Sequence, residues 1–119
     1  MNYFSDQYDF THFSLLHDSL SSIDFKGIST VLHCAALVHQ TMDHPYEKYM
    51  DVNVRYPVEL AKKAKESGVK QFVFMSTIAV YGEVDGEIIE DEQCNPTTFY
   101  GKSKLEAERL LEDLNDDNF

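Results

Sequence analysis

Two apolar runs and two amphipathic stretches organise the chain. Thr30-Val31-Leu32-His33-Cys34 follows Gly27, is β-branched at its start and mostly apolar, and predicts a strand over about 30–34. Gln71-Phe72-Val73-Phe74-Met75 follows Gly68, ends at Ser76-Thr77, and predicts a second strand. Between them His44-Pro45 signals a helix start, because proline fits a first turn that needs no amide donor. Val54, Val58, Ala61 and Ala64 then recur on one helical face, with Lys62, Lys63, Lys65 and Glu66 mostly off it. Gly68 supplies the stop, and Pro57 predicts a bend, since it removes a donor to the Asn53 carbonyl. Beyond Thr77 a polar loop with Gly82 and Gly86 leads through Pro96 to a second helix, about Phe99 to Leu114. Its face is Tyr100, Lys104, Ala107 and Leu111. Upstream, the pattern predicts a short strand around Tyr8-Asp9-Phe10 and a helix carrying Phe13, Leu16 and Leu20.

Strand, helix, strand in this order is a βαβ unit, with parallel strands expected to be buried on both faces. The fold class is α/β, and 119 residues make one domain, 1–119.

Charge and composition narrow the function. The net charge of −11 repels nucleic acid, so no nucleic-acid partner is expected. The acidic residues of 83–92 and 112–117 read as solvated loop and end. No apolar run reaches the roughly 18 residues of a membrane span, and the start is not a signal peptide. Cys34 and Cys94 lie far apart and form no C-x-x-C, which suits reduced thiols and a cytoplasmic location. His33, His39 and His44 lack the spacing of a zinc site, so no metal is expected.

Tyr100 and Lys104 stand one turn apart on the second helix. A free tyrosine, with a pKa near ~10, is a poor base at neutral pH, and a nearby ammonium favours its phenolate. Such a pair can take a hydroxyl proton while hydride leaves the same carbon. Taken alone the spacing occurs often by chance, and a surface pair is its ordinary reading. Ser76-Thr77 ends a strand at the carboxyl edge of a parallel sheet, where open α/β folds bind ligands. A hydroxyl there either steadies developing oxygen charge or caps the strand end.

Three segments together resemble the extended short-chain dehydrogenase/reductases, the NAD-dependent epimerase/dehydratase family. They are Val31 to Ala36 (VLHCAA), Asn53 to Gly82 (NVRYPVELAKKAKESGVKQFVFMSTIAVYG) and Asn95 to Leu111 (NPTTFYGKSKLEAERLL). Within the family the chain is most similar to UDP-glucose 4-epimerase-like members. The resemblance implies a partial Rossmann-like, doubly wound parallel sheet lacking its first βα units. It also implies a catalytic centre of Thr77, Tyr100 and Lys104 that oxidises a nucleotide sugar at C4. NAD is the implied cofactor, with NADP left open. Asp9, Phe10, Cys34, Ala35, Ala36, Asn53 and Ser76, with Tyr100 and Lys104, are the implied cofactor contacts. The small residues at 35 and 36 serve equally for tight packing. Where the family has N-V-x-G-T, this chain has Tyr56-Pro57 after Asn53-Val54-Arg55. The resemblance further implies a homodimer through the helices at 53–67 and 99–114.

The family's Gly-rich phosphate loop has no counterpart here. The five glycines, Gly27, Gly68, Gly82, Gly86 and Gly101, lack its spacing. An incomplete chain is therefore expected, with weak cofactor binding and no useful turnover of its own. The alternative is an inactive truncated fragment or accessory α/β protein.

Overall fold

The computed structural model describes residues 19–38, 44–83 and 85–119. A 3-10 turn, Leu20–Ser22, leads to strand β1, Thr30–His33. Helix α1, Tyr46–Met50, runs through a π-helical turn, Asp51–Arg55, into α2, Tyr56–Glu66. Strand β2, Gln71–Phe74, is followed by a 3-10 turn, Ile78–Val80, a long loop, and α3, Phe99–Glu112.

β1 and β2 pair in parallel, Thr30 opposite Gln71 through His33 opposite Phe74. One more bond, Met75 N–H to the His33 carbonyl at 3.1 Å, carries the pairing to the strand ends. Both strands therefore finish at one edge, which presents Cys34 and Ser76-Thr77 side by side. Gly68, at φ +86°, turns the chain from α2 into β2, the left-handed conformation its stop role requires.

The expected bend at Pro57 takes a specific form. The Tyr56 N–H reaches back five residues to the Asp51 carbonyl, and the helix widens by one residue before the proline. That π turn buries Asn53 and Val54. Downstream, Val58, Leu60, Ala61 and Ala64 are buried, so the helical face read from the sequence is the packed one. Phe25, Leu60, Ala64 and Val69 form the core cluster, joined by Val31 and Phe72 of the sheet.

The strands are not buried on both faces. Val31, His33, Phe72 and Phe74 turn toward the helices and aromatic neighbours, while Leu32, on the opposite face, is 61% exposed. A parallel sheet is covered twice only when helices pack on each side. Among the described residues, they pack on one. The expected strand at Tyr8–Phe10 lies outside the described residues, as do Phe13 and Leu16, while Leu20 begins the 3-10 turn. Among the described residues no helix is long and apolar enough to cross a membrane.

Candidate active site at the carboxyl edge of the strands

Thr98 starts α3. Its Oγ1 accepts from the Gly101 N–H at 3.0 Å, satisfying a donor that the first turn would leave orphaned. Tyr100, the second residue of the helix, is half-buried. Lys104 follows one turn later and is 1% exposed. Its Nζ donates to the Met75 carbonyl at 2.5 Å and sits 3.8 Å from the centre of the Phe74 ring. A cation over an aromatic face is attracted by the ring quadrupole. The lysine thus spans from α3 to the end of β2. Burial pulls its amine down to about 8, and the Glu108 carboxylate and Cys34 push back toward the charged form.

The strand-end hydroxyls have separate partners. Ser76 Oγ donates to the Glu108 carboxylate. Thr77 Oγ1 accepts from the Ala79 N–H at 3.2 Å and caps the 3-10 turn. Capping and a catalytic role are compatible, because the cap uses a lone pair and leaves the hydroxyl hydrogen to donate. Gly101 holds α3 against this turn. A methyl group there would lie 2.4 Å from the Ala79 carbonyl oxygen.

Asn53 works as a clamp. Its Oδ1 accepts from the Leu37 N–H at 2.7 Å, and its Nδ2 donates to the Leu37 carbonyl at 2.9 Å and to Ser103 Oγ at 3.0 Å. The side chain is 1% exposed, and it fixes the loop after β1 to α3. Along that loop Cys34 and Ala35 are exposed and Ala36 is half-buried. Asp9 and Phe10 lie outside the described residues.

His33 is buried at 5% exposure, stacked between Tyr56, Phe72 and Phe74. Burial, reinforced by the Lys104 charge, holds its pKa below the ordinary value, so the ring beside the lysine stays neutral.

Two contributors escaped the sequence reading. Glu108 continues the Tyr100, Lys104 spacing by one more turn, and that periodicity was its available signal. Ser103, fully buried between Asn53 and the Tyr100 carbonyl, carried none, because its partners meet only in three dimensions.

Known proteins resemble this chain in sequence and in fold. Residues 5–118 match the NAD dependent epimerase/dehydratase family. The chain is 40% identical over 104 residues to the UDP-glucose 4-epimerase of Vibrio cholerae, covering 79% of this chain and 32% of that one. It is 40% identical over 107 residues to the UDP-glucose 4-epimerase of Halalkalibacterium halodurans, covering 86% and 32%. A crystal structure of UDP-glucuronic acid 4-epimerase from Bacillus cereus in complex with NAD superposes with a TM-score of 0.74 at 28% identity, covering 88% and 33%. The chain spans about a third of the length of these relatives. With nearly its whole length matched, and a βαβ unit of partial Rossmann type, the chain belongs to the NAD-dependent epimerase/dehydratase family.

Proposed function

We propose that this chain carries the proton-transfer centre of an NAD-dependent nucleotide-sugar 4-epimerase, with UDP-linked hexoses as the substrate class. The observation that carries it is Lys104: a buried amine, one turn after Tyr100, held at the shared end of two parallel strands.

The residues fit the nicotinamide-ribose end of NAD. Lys104 Nζ has three donors and spends one on Met75, and a small shift of this buried side chain would turn the others to the ribose hydroxyls. Cys34 and Ala35 are exposed just past the end of β1. When bound, NAD supplies the hydride acceptor for sugar C4. Tyr100 would take the C4 hydroxyl proton as the hydride leaves, with Lys104 one turn along the same helix. Thr77 donates its hydroxyl hydrogen to the same oxygen. Tyr100 would then give the proton back to the C4 oxygen, restoring the hydroxyl in the inverted sugar. Ser76 and Asn53 hold the two strand-end loops on which these groups stand, and a homodimer through the helices at 53–67 and 99–114 belongs to the same proposal.

The phosphates are the weak point. Among the described residues the positive-φ glycines, 27, 68, 82 and 86, stand before strands or within loops, not at an α-helix N-terminus. Weak NAD(H) binding and no turnover are therefore expected of the 119-residue chain alone. The test is a chimera in which residues 5–118 replace the matching third of the Vibrio cholerae enzyme. UDP-glucose epimerisation should persist in it and fall by at least about 100-fold with Tyr100→Phe, the scale of a lost general base. An active chimera indifferent to that substitution would sink the proposal.

A further inference from the structure

Glu108 lies one turn beyond Lys104 on α3. Its carboxylate accepts a hydrogen bond from Ser76 Oγ and also bears on the Lys104 amine. We propose that Glu108 is a positioning residue of the site, tying the end of β2 to α3 through Ser76 and keeping the buried Lys104 amine charged. The proposal rests on Lys104 being the partner of Tyr100.

The need for such a group follows from burial. Taking an ammonium out of water disfavours its charged form, so a buried cation calls for a group of opposite charge beside it. Each element around Lys104 contributes neighbours. α3 brings Glu108, the end of β1 brings His33 and Cys34, and the end of β2 brings the Phe74 ring and the Met75 carbonyl. His33 is kept neutral by burial and by the lysine itself. The ring and the carbonyl attract a cation but carry no net charge. Glu108 is the one carboxylate in this set. An amine that titrates at about 8 is charged in about nine molecules of ten at pH 7. One unit lower, half the molecules would lose that charge. The bond from Ser76 matters because it fixes where the carboxylate stands, at the strand end where Lys104 also anchors.

Two pH titrations of the purified chain test this, both by carbon NMR and neither needing cofactor or substrate. In Glu108→Gln an oxygen remains to accept from Ser76 while the charge is gone. The Lys104 midpoint, assigned with Lys104→Arg, should drop by about one pH unit, within the range one neighbouring charge produces. Ser76→Ala, which keeps the charge, should move it far less. An unmoved midpoint in Glu108→Gln overturns the proposal. In the unmutated chain, where no variant has to fold, the Glu108 carboxyl carbon should show an inflection at the Lys104 midpoint, near pH 8. A flat response there overturns it equally. Should both shifts appear while the Tyr100→Phe chimera stays active, the coupling stands and the 4-epimerase function falls.

Discussion

Gly101 and Ala79 meet backbone to backbone: a methyl group on Gly101 would stand 2.4 Å from the Ala79 carbonyl oxygen and 3.0 Å from its carbon. Both obstructing atoms belong to the main chain, so no side chain can swing aside. Gly101→Ala must push the start of α3 away from the turn after β2, and Tyr100 moves with it. Overpacking of this kind costs about 1–3 kcal/mol. Urea unfolding should show that loss, with the circular dichroism of the helices retained. A midpoint equal to the unmutated chain would mean the two backbones are not in contact.

Asn53 should be among the costliest polar positions to change. Asn53→Ala strands the part-buried Leu37 amide and carbonyl and leaves the buried Ser103 hydroxyl only its bond to the Tyr100 carbonyl. Leaving buried polar groups unpaired costs on the order of 1–3 kcal/mol each when nothing replaces the partner. A total loss of about 2–4 kcal/mol is expected, since water will recover part of it. Hydrogen exchange at the Leu37 amide reads the clamp directly. It should accelerate well beyond the exchange of β1, and uniform acceleration through the chain would mean Asn53 has no local role.

How much of this was legible differs by element. α2 and α3 could be read because an apolar face repeats at the helical period, and Val58, Ala61, Ala64 and Ala107 on those faces are buried, while β1 and β2 could be read from short apolar runs after a glycine. Thr77, Tyr100 and Lys104 could be singled out because a strand end and one helical turn set their places. The π turn was only half legible: Pro57 announces a missing donor, but not that the preceding bond would reach back five residues. Asn53 with Leu37, and Ser76 with Glu108, were not legible as pairs. Each joins two elements whose approach depends on packing rather than on spacing along the chain. The exposure of Leu32 was misjudged for a related reason. A buried-strand pattern records what a residue can tolerate, and covering it takes a second layer of helices.

Lys104 gives the chain a pH dependence of defined sign. Its amine titrates near 8 in the fold against an ordinary value of 10.5, so between those limits the unfolded chain binds more protons. Stability contributed by this site therefore rises with pH across the window. Below pH 8 the fold bears the whole cost of a buried ammonium, and toward 10.5 that cost disappears. Lys104→Met removes the titration. The stability of the unmutated chain minus that of Lys104→Met, from urea unfolding, should climb between about pH 8 and pH 10. A flat difference would mean that the amine is solvated in the fold.

The open sheet face should control self-association. Leu32 is 61% exposed, and Met75, which follows β2, is 51% exposed. Apolar surface beside unpaired strand edges is what sheet proteins ordinarily protect with charge, especially lysine. Leu32→Lys places an ammonium in the middle of that face without touching the helix-packed side, where Val31 and His33 lie. Its thermal midpoint should stay within about 2 °C of the unmutated chain, since exposed sites contribute little to stability. Sedimentation velocity at increasing concentration should show the lysine variant growing no larger than the dimer proposed through the helices, where the unmutated chain forms larger species. If both sediment alike, the face bearing Leu32 is not the surface through which copies meet, and the helices at 53–67 and 99–114 become the place to introduce the next charge.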